Sequence, residues 1–218
     1  MFDFTVFRSR RKTLAVIVRD GKVIVRAPYR VSDKRLILFL KEKDEWIRKK
    51  VGETVEAKTA LQDVVNRSFI MYFGKRYAVI QCADAQCSLA ADRFYVPDSA
   101  PFDKTVSEWF KAAAKSRLKR ILDETASAIG ISYGSFKISA AKTQWGSCNA
   151  KGRISLNYRL IMLDEELIEY VIVHELCHIT ELNHSSKFWA LVGANLPDYK
   201  KRRSVLKNYG ALLRELPY

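Results

Sequence analysis

YVIVHELCHITELNHSSKFW, residues Tyr170 to Trp189, contains every histidine of a 218-residue chain, at positions 174, 178 and 184. Leu167, Tyr170, Val171, His174 and His178 recur at three- and four-residue spacing, so the segment reads as a helix with strongly apolar faces. His174 and His178, four apart, then share one face with Cβ atoms about 5–6 Å from each other. Two imidazoles so placed can converge on one zinc ion, with Zn–N bonds of roughly 2.0–2.1 Å. Glu175 lies about 100° around the helix, where it can take a proton without becoming a ligand. HExxH is the pattern of a zinc hydrolase. His184 adds a condition: six residues of unbroken helix would carry it about 240° away from His178. It reaches the same ion only if the helix ends between them. Asn183 can adopt the left-handed conformation that closes a helix, and Ser185 can cap a new one. Three protein ligands leave one position open, which is the arrangement of a catalytic rather than a structural zinc. Three packed core histidines would have no reason to adopt this spacing.

Working outward, the helix is expected to begin near Asp164, where acidic residues 164 to 166 suit its N-terminus. Two strands, SFKISAA and RISLNYRLI, precede it, joined through KTQWGSCNAKG. A long helix from about Asp103 to Ala128 is stopped by Gly130. The first half of the chain is richer in strands. TLAVIVRDGKVIVRAP alternates apolar and polar residues around Asp20-Gly21, a hairpin signal because Asp-Gly tolerates the positive φ of a two-residue turn. Ser32 caps a helix predicted to run to about Lys50, with Leu36, Phe39, Leu40, Trp46 and Ile47 on its buried face. Strands return in FIMYFGKRYAVIQC, turning near Gly74, and in RFYVP. The fold class is α+β. A strand-rich N-terminal region, 1–97, carries a hairpin and one helix. The segment Pro97–Pro101 links it to a C-terminal region, 103–218, with a short sheet and the HExxH helix.

Composition is that of a globular protein, 48% hydrophobic and 28% charged. No apolar run approaches the roughly 18 residues that cross a bilayer. The N-terminus lacks the apolar core of a secretory signal, so a cytoplasmic location without membrane contact is expected. Cys82, Cys87, Cys148 and Cys177 form no CxxC pair and read as free, partly buried thiols. The net charge of +14 leaves a nucleic-acid partner open, through spots such as Arg8–Lys12, Arg48–Lys50 and Lys200–Arg203. The basic residues are otherwise spread, as on an ordinary solvated surface.

The segment Tyr170–Trp189 resembles the signature of the YgjP-like metallopeptidases, zinc-dependent hydrolases of the zincin type. The resemblance extends back through TQWGSCNAKGRISLNYRLI, forward through LPDYKKRR, and more loosely to EWIRKK and the N-terminal hairpin. It implies His174, His178 and His184 as ligands of one Zn2+ per chain and Glu175 as the catalytic residue, in agreement with the spacing. The histidine spacing also equals that of metzincins, but Glu181 stands where metzincins have glycine.

The expected chemistry is hydrolysis of a peptide bond by zinc-bound water, with Glu175 as general base and a peptide or protein as substrate. In zincins an edge strand before the active helix often holds an extended peptide. RISLNYRLI is the resembling segment, which makes Asn157, Tyr158 and Arg159 candidate substrate-binding residues. Trp145 and Cys148 are candidates for lining the cleft, and Tyr199 and Arg159 for stabilising an oxyanion. Ser147 has no histidine left to serve as its base. Two alternatives stay open: a nucleic-acid-associated protease resembling the SprT-like proteases, and a basic binding module braced by a structural zinc. The second needs a fourth protein ligand, and Cys177, the nearest candidate, lies about 100° from His178.

Overall fold

The computed structural model describes residues 3–19, 21–83 and 86–216. The chain forms two compact units, 1–62 and 63–218. In the first, β1 (Phe4–Ser9), β2 (Ala15–Arg19) and β3 (Lys22–Pro28) form a sheet of order β1-β3-β2. β2 and β3 are the antiparallel hairpin read from the sequence, with Arg19 opposite Lys22 and Gly21 at φ 74°. Asp20 lies outside the described residues. β1, which the sequence pattern leaves unassigned, pairs in parallel with β3. Alternation puts Val23, Val25 and Ala27 on the face that packs with Leu36, Leu40 and Ile47.

Ser32 caps a helix as expected, its hydroxyl accepting from the Arg35 N–H. The single helix expected through Lys50 is instead two: α1 (Asp33–Glu42) and α2 (Asp44–Val65), interrupted at Lys43. The break turns the apolar pattern: Leu36, Leu40 and Ile47 are buried, while Trp46 is 44% exposed rather than part of the core.

The second unit begins with a four-stranded sheet of order β4-β5-β7-β6, made of β4 (Phe69–Tyr72), β5 (Lys75–Cys82), β6 (Ser88–Ala90) and β7 (Arg93–Pro97). The division therefore falls at Gln62/Asp63, upstream of the Pro97–Pro101 segment expected to separate the halves. The reason is helix α3 (Phe102–Ile129), which binds this sheet to the remainder of the unit. Its buried residues Phe102, Val106, Phe110, Ala114, Leu118, Leu122 and Ala126 are spaced by four throughout. At 3.6 residues per turn such a stripe drifts about 40° per step, so α3 faces different partners along its length. Near its start Trp109 and Phe110 pack against Phe94 of β7 and each other. Farther along it meets the histidine-bearing part of the unit. Gly130 at φ 68° ends it, as the sequence predicts.

A second sheet, of order β8-β10-β9, contains β8 (Ser135–Ser139), β9 (Gly146–Cys148) and β10 (Arg153–Asn157). The strand expected over RISLNYRLI stops at Asn157. There the Asn157 side chain accepts from the Arg159 N–H and starts a fully buried 3-10 turn, Tyr158–Met162. Helix α4 (Glu165–Thr180) comes next, then α5 (Ser186–Asn195), α6 (Tyr199–Leu206) and, after one more 3-10 turn, α7 (Gly210–Glu215). α4 is buried on nearly every face, against α3, α5, α6, β9, β10 and the first 3-10 turn. Among the described residues no helix is long and apolar enough to cross a membrane.

The β4–β5 turn is docked on this core. The Phe73 and Gly74 N–H groups donate to the Ile161 and Met162 carbonyls at 2.7 and 3.3 Å. Gly74 sits at φ 72°, and a Cβ there would collide with the Asp164 carboxylate. Gly74→Ala is expected to lower unfolding stability by at least about 1–2 kcal/mol, since both the left-handed backbone and the contact oppose it. Gly52→Ala, inside α2 with open space around the new methyl, should raise stability by about 0.5–1 kcal/mol. Urea unfolding of both variants checks the pair.

Candidate active site

The three histidines meet at one point. α4 ends at Thr180 because Glu181 leaves helical geometry (φ −128°, ψ 99°), while its N–H still donates to the Cys177 carbonyl. The predicted break is thus present, shortly after His178. Its pivot is Glu181 in extended conformation rather than a left-handed Asn183, which is absent from the positive-φ residues. Ser185 restarts the chain as α5, its hydroxyl accepting from the Phe188 N–H at 3.3 Å.

This path places the ring centroids of His174, His178 and His184 4.7–4.9 Å apart, with one ligand atom of each within 4.8 Å of the others. Nε2 of His174 and Nε2 of His184 stand 3.0 Å apart. Tetrahedral ligands on bonds of roughly 2.0–2.1 Å sit roughly 3.3–3.4 Å from one another, so the cluster matches a small divalent ion with only slight adjustment. His178 Nδ1 lies 3.0 Å from the Glu181 carbonyl oxygen. A carbonyl only accepts, so Nδ1 carries the proton and Nε2 offers its lone pair. His174 Nδ1 is buried without a partner.

The cluster is lodged in aromatic surroundings. Phe188, fully buried, lies within 4.4–4.9 Å of all three imidazoles, stacked on His178. Trp189 stacks on His184 at 5.6 Å. Burial, then the positive influence of His178, His184 and Arg203, pushes His174 down to about 3. The same kinds of cause lower His184. Both shifts favour the neutral imidazole, the form that binds a metal.

Glu175 is buried on α4, and burial alone pushes its carboxyl up to about 8. It faces β9. A Cβ built on Gly146 would lie 2.8 Å from both Cγ and Oε1 of Glu175, so the carboxyl occupies the space a side chain would need. Gly146 is a site residue that sequence reasoning missed: only the quoted TQWGSC stretch pointed toward it, and its approach to Glu175 is tertiary. Cys148, half-buried on the same strand, has its thiol raised by burial and then by Glu175. Its thiol therefore lies near the Glu175 carboxyl.

The structure places the candidate substrate-binding residues Asn157, Tyr158 and Arg159 in the interior. Asn157 Nδ2 donates to the Ala141 and Gln144 carbonyls. Arg159 lies 4.6 Å over the Tyr158 ring and donates to the Leu216 carbonyl. They brace the wall behind the site. β10, which carries Asn157, is the central strand, so the edge of this sheet nearest α4 is β9. Tyr199, the other oxyanion candidate, stacks on Trp189 at 5.5 Å. Among the described residues no further His, Cys, Asp or Glu joins the three histidines. Cys177 is a buried free thiol pushed up to about 11 by burial.

No curated protein matches the chain. Among solved structures, the metallopeptidase zymogen of Pyrococcus abyssi abylysin is similar at 24% identity and a TM-score of 0.39, over 44% of this chain and 96% of that one. The profile of the YgjP-like metallopeptidase domain matches residues 12–209. The histidine cluster lies within that span, and the chain belongs to the YgjP-like metallopeptidase family.

Proposed function

We propose that the protein is a zinc-dependent peptidase in which His174, His178 and His184 hold one zinc ion and Glu175 is the general base. The observation that carries this reading is the convergence of three imidazoles beside a buried carboxyl that is not one of them. Three imidazoles suit zinc among the divalent ions, and among the described residues no fourth protein group closes the site. When bound, zinc polarises the scissile carbonyl and makes water at its open position more acidic.

The chain's own residues supply the rest. Glu175, pinned between α4 and Gly146, accepts the proton of the attacking water on a carboxylate oxygen and returns it to the leaving amine. Its burial keeps solvent from competing for that proton. Phe188 and Trp189 exclude water from the far side of the imidazoles. β9 offers the unpaired edge along which an extended peptide can add by backbone hydrogen bonds, next to Trp145 and Cys148. The edge expected of Asn157–Arg159 is thereby reassigned to Gly146–Cys148.

Purified protein should contain about one zinc per chain. His178→Ala and His184→Ala should both fall well below that at limiting zinc, because two imidazoles hold the ion poorly. Wild-type zinc content in His184→Ala would remove that residue from the site. Glu175→Gln should keep its zinc and its thermal stability while peptide hydrolysis drops at least about 10²-fold. Equal turnover by mutant and wild type would sink the mechanism. Gly146→Ala tests the positioning: its methyl displaces the carboxyl, and turnover should fall about 10²-fold with zinc retained. A fully active Gly146→Ala enzyme would show that the contact with β9 does not set the base.

A further inference from the structure

Beyond the histidines and Glu175, one charged group reaches the cluster from another element. α6 is clamped to α4 by Arg202, which donates to the Glu166 carbonyl at 2.9 Å, to Glu169 at 2.5 Å and to Asp198 at 2.9 Å. Arg203, the next residue, is engaged differently. Its guanidinium carbon stands 4.4 Å from the centre of the Trp189 ring, and among the described residues it has no carboxylate partner. Trp189 itself stacks with His184 at an interplanar angle of 29° and with Tyr199 at 12°. Gly193 makes room for that stack, since a Cβ there would lie 3.3 Å from the Tyr199 ring.

A guanidinium resting on an aromatic face uses its π surface and leaves its in-plane N–H fork available. That fork matches a carboxylate in both spacing and charge. The position is also informative. Arg203 is exposed at the rim, and its charge contributes, after burial and the neighbouring histidines, to lowering His174 and His184. Glu175 lies on the β9 side, against Gly146, so the base and the guanidinium approach the imidazoles from different elements. Lys200, 5.9 Å from the Tyr199 ring centre, adds a second cation to the α6 side. A dication at the histidines would reinforce this positive field.

We infer that Arg203 is a specificity-determining residue: shelved on Trp189, it takes a carboxylate of the peptide, so that the site selects peptides with a negative charge close to the bond that is cut. The inference rests on the peptidase reading of the same site. The carboxylate is either a free C-terminus or an acidic side chain, which present the same chemistry.

Three peptides of one core sequence separate these cases: fully capped and neutral, with a free C-terminal carboxylate, and capped with one internal glutamate. Binding is measured by calorimetry on metal-free protein, where a carboxylate cannot ligate zinc, and hydrolysis on zinc-loaded protein. Wild type should bind at least one acidic peptide about tenfold more tightly than the neutral one, and which one identifies the source. R203Q should abolish that preference without changing affinity for the neutral peptide, zinc content or near-UV circular dichroism. R203K should keep part of it, and R203E should reverse it toward a lysine-bearing peptide. No preference in wild type, a preference surviving in R203Q, or equal weakening of all three peptides would overturn the inference, the last by reducing Arg203 to a packing element. If the Arg203-dependent preference is found but zinc-loaded protein cuts none of the peptides, the carboxylate site stands and the peptidase reading fails.

Discussion

Three imidazoles can face one ion only if the chain reverses between the second and the third, and the geometry of the active half depends on that reversal. Glu181 leaves the helix while its N–H still closes the last turn, and its carbonyl, freed from the helical ladder, accepts a hydrogen bond from His178 Nδ1. The residue that ends the helix therefore also orients the His178 ring. Ser185 then caps α5, which returns Phe188 and Trp189 over the rings they help to arrange. A change in the length of this turn would disturb imidazole position, imidazole tautomer and hydrophobic cover together.

The reversal needs a rigid base, and α4 supplies one by being buried almost all round. Its N-terminus is locked by the β4–β5 turn and the 3-10 turn before it, one flank by α3 and another by the Arg202 clamp of α6. Placing a carboxyl in such a helix has an electrostatic consequence. Glu175 loses hydration and holds its proton more firmly than a surface glutamate. The absence of a side chain at Gly146 is what lets that carboxyl fit at all.

What the sequence reveals here is what short-range geometry controls. The spacing of His174 and His178 is a property of one helix, the Gly21 hairpin of one turn, and the Ser32 and Ser185 caps of a few consecutive residues. The misreadings share the opposite character. RISLNYRLI looks like one long strand because its apolar residues continue past Asn157; the side chain of Asn157, bonding its own neighbour's backbone, bends the chain into a 3-10 turn. β1 goes unread because its partner is the parallel β3, a pairing that leaves no local mark. Lys43 breaks a helix without glycine or proline. The compact units divide at Gln62/Asp63, because the drifting stripe of α3 ties the second sheet to the half that carries the histidines. Gly146 and Arg203 belong to the site only through contacts of strand on helix and helix on helix.

β9 has a further consequence through its brevity. An edge strand offers unpaired backbone groups to any extended chain, including a second copy of the same protein, and long flat edges are where sheets grow into aggregates. Here the edge runs only from Gly146 to Cys148. Three residues are too few to template the addition of one sheet to another. Its brevity thus limits edge-to-edge growth of the sheet.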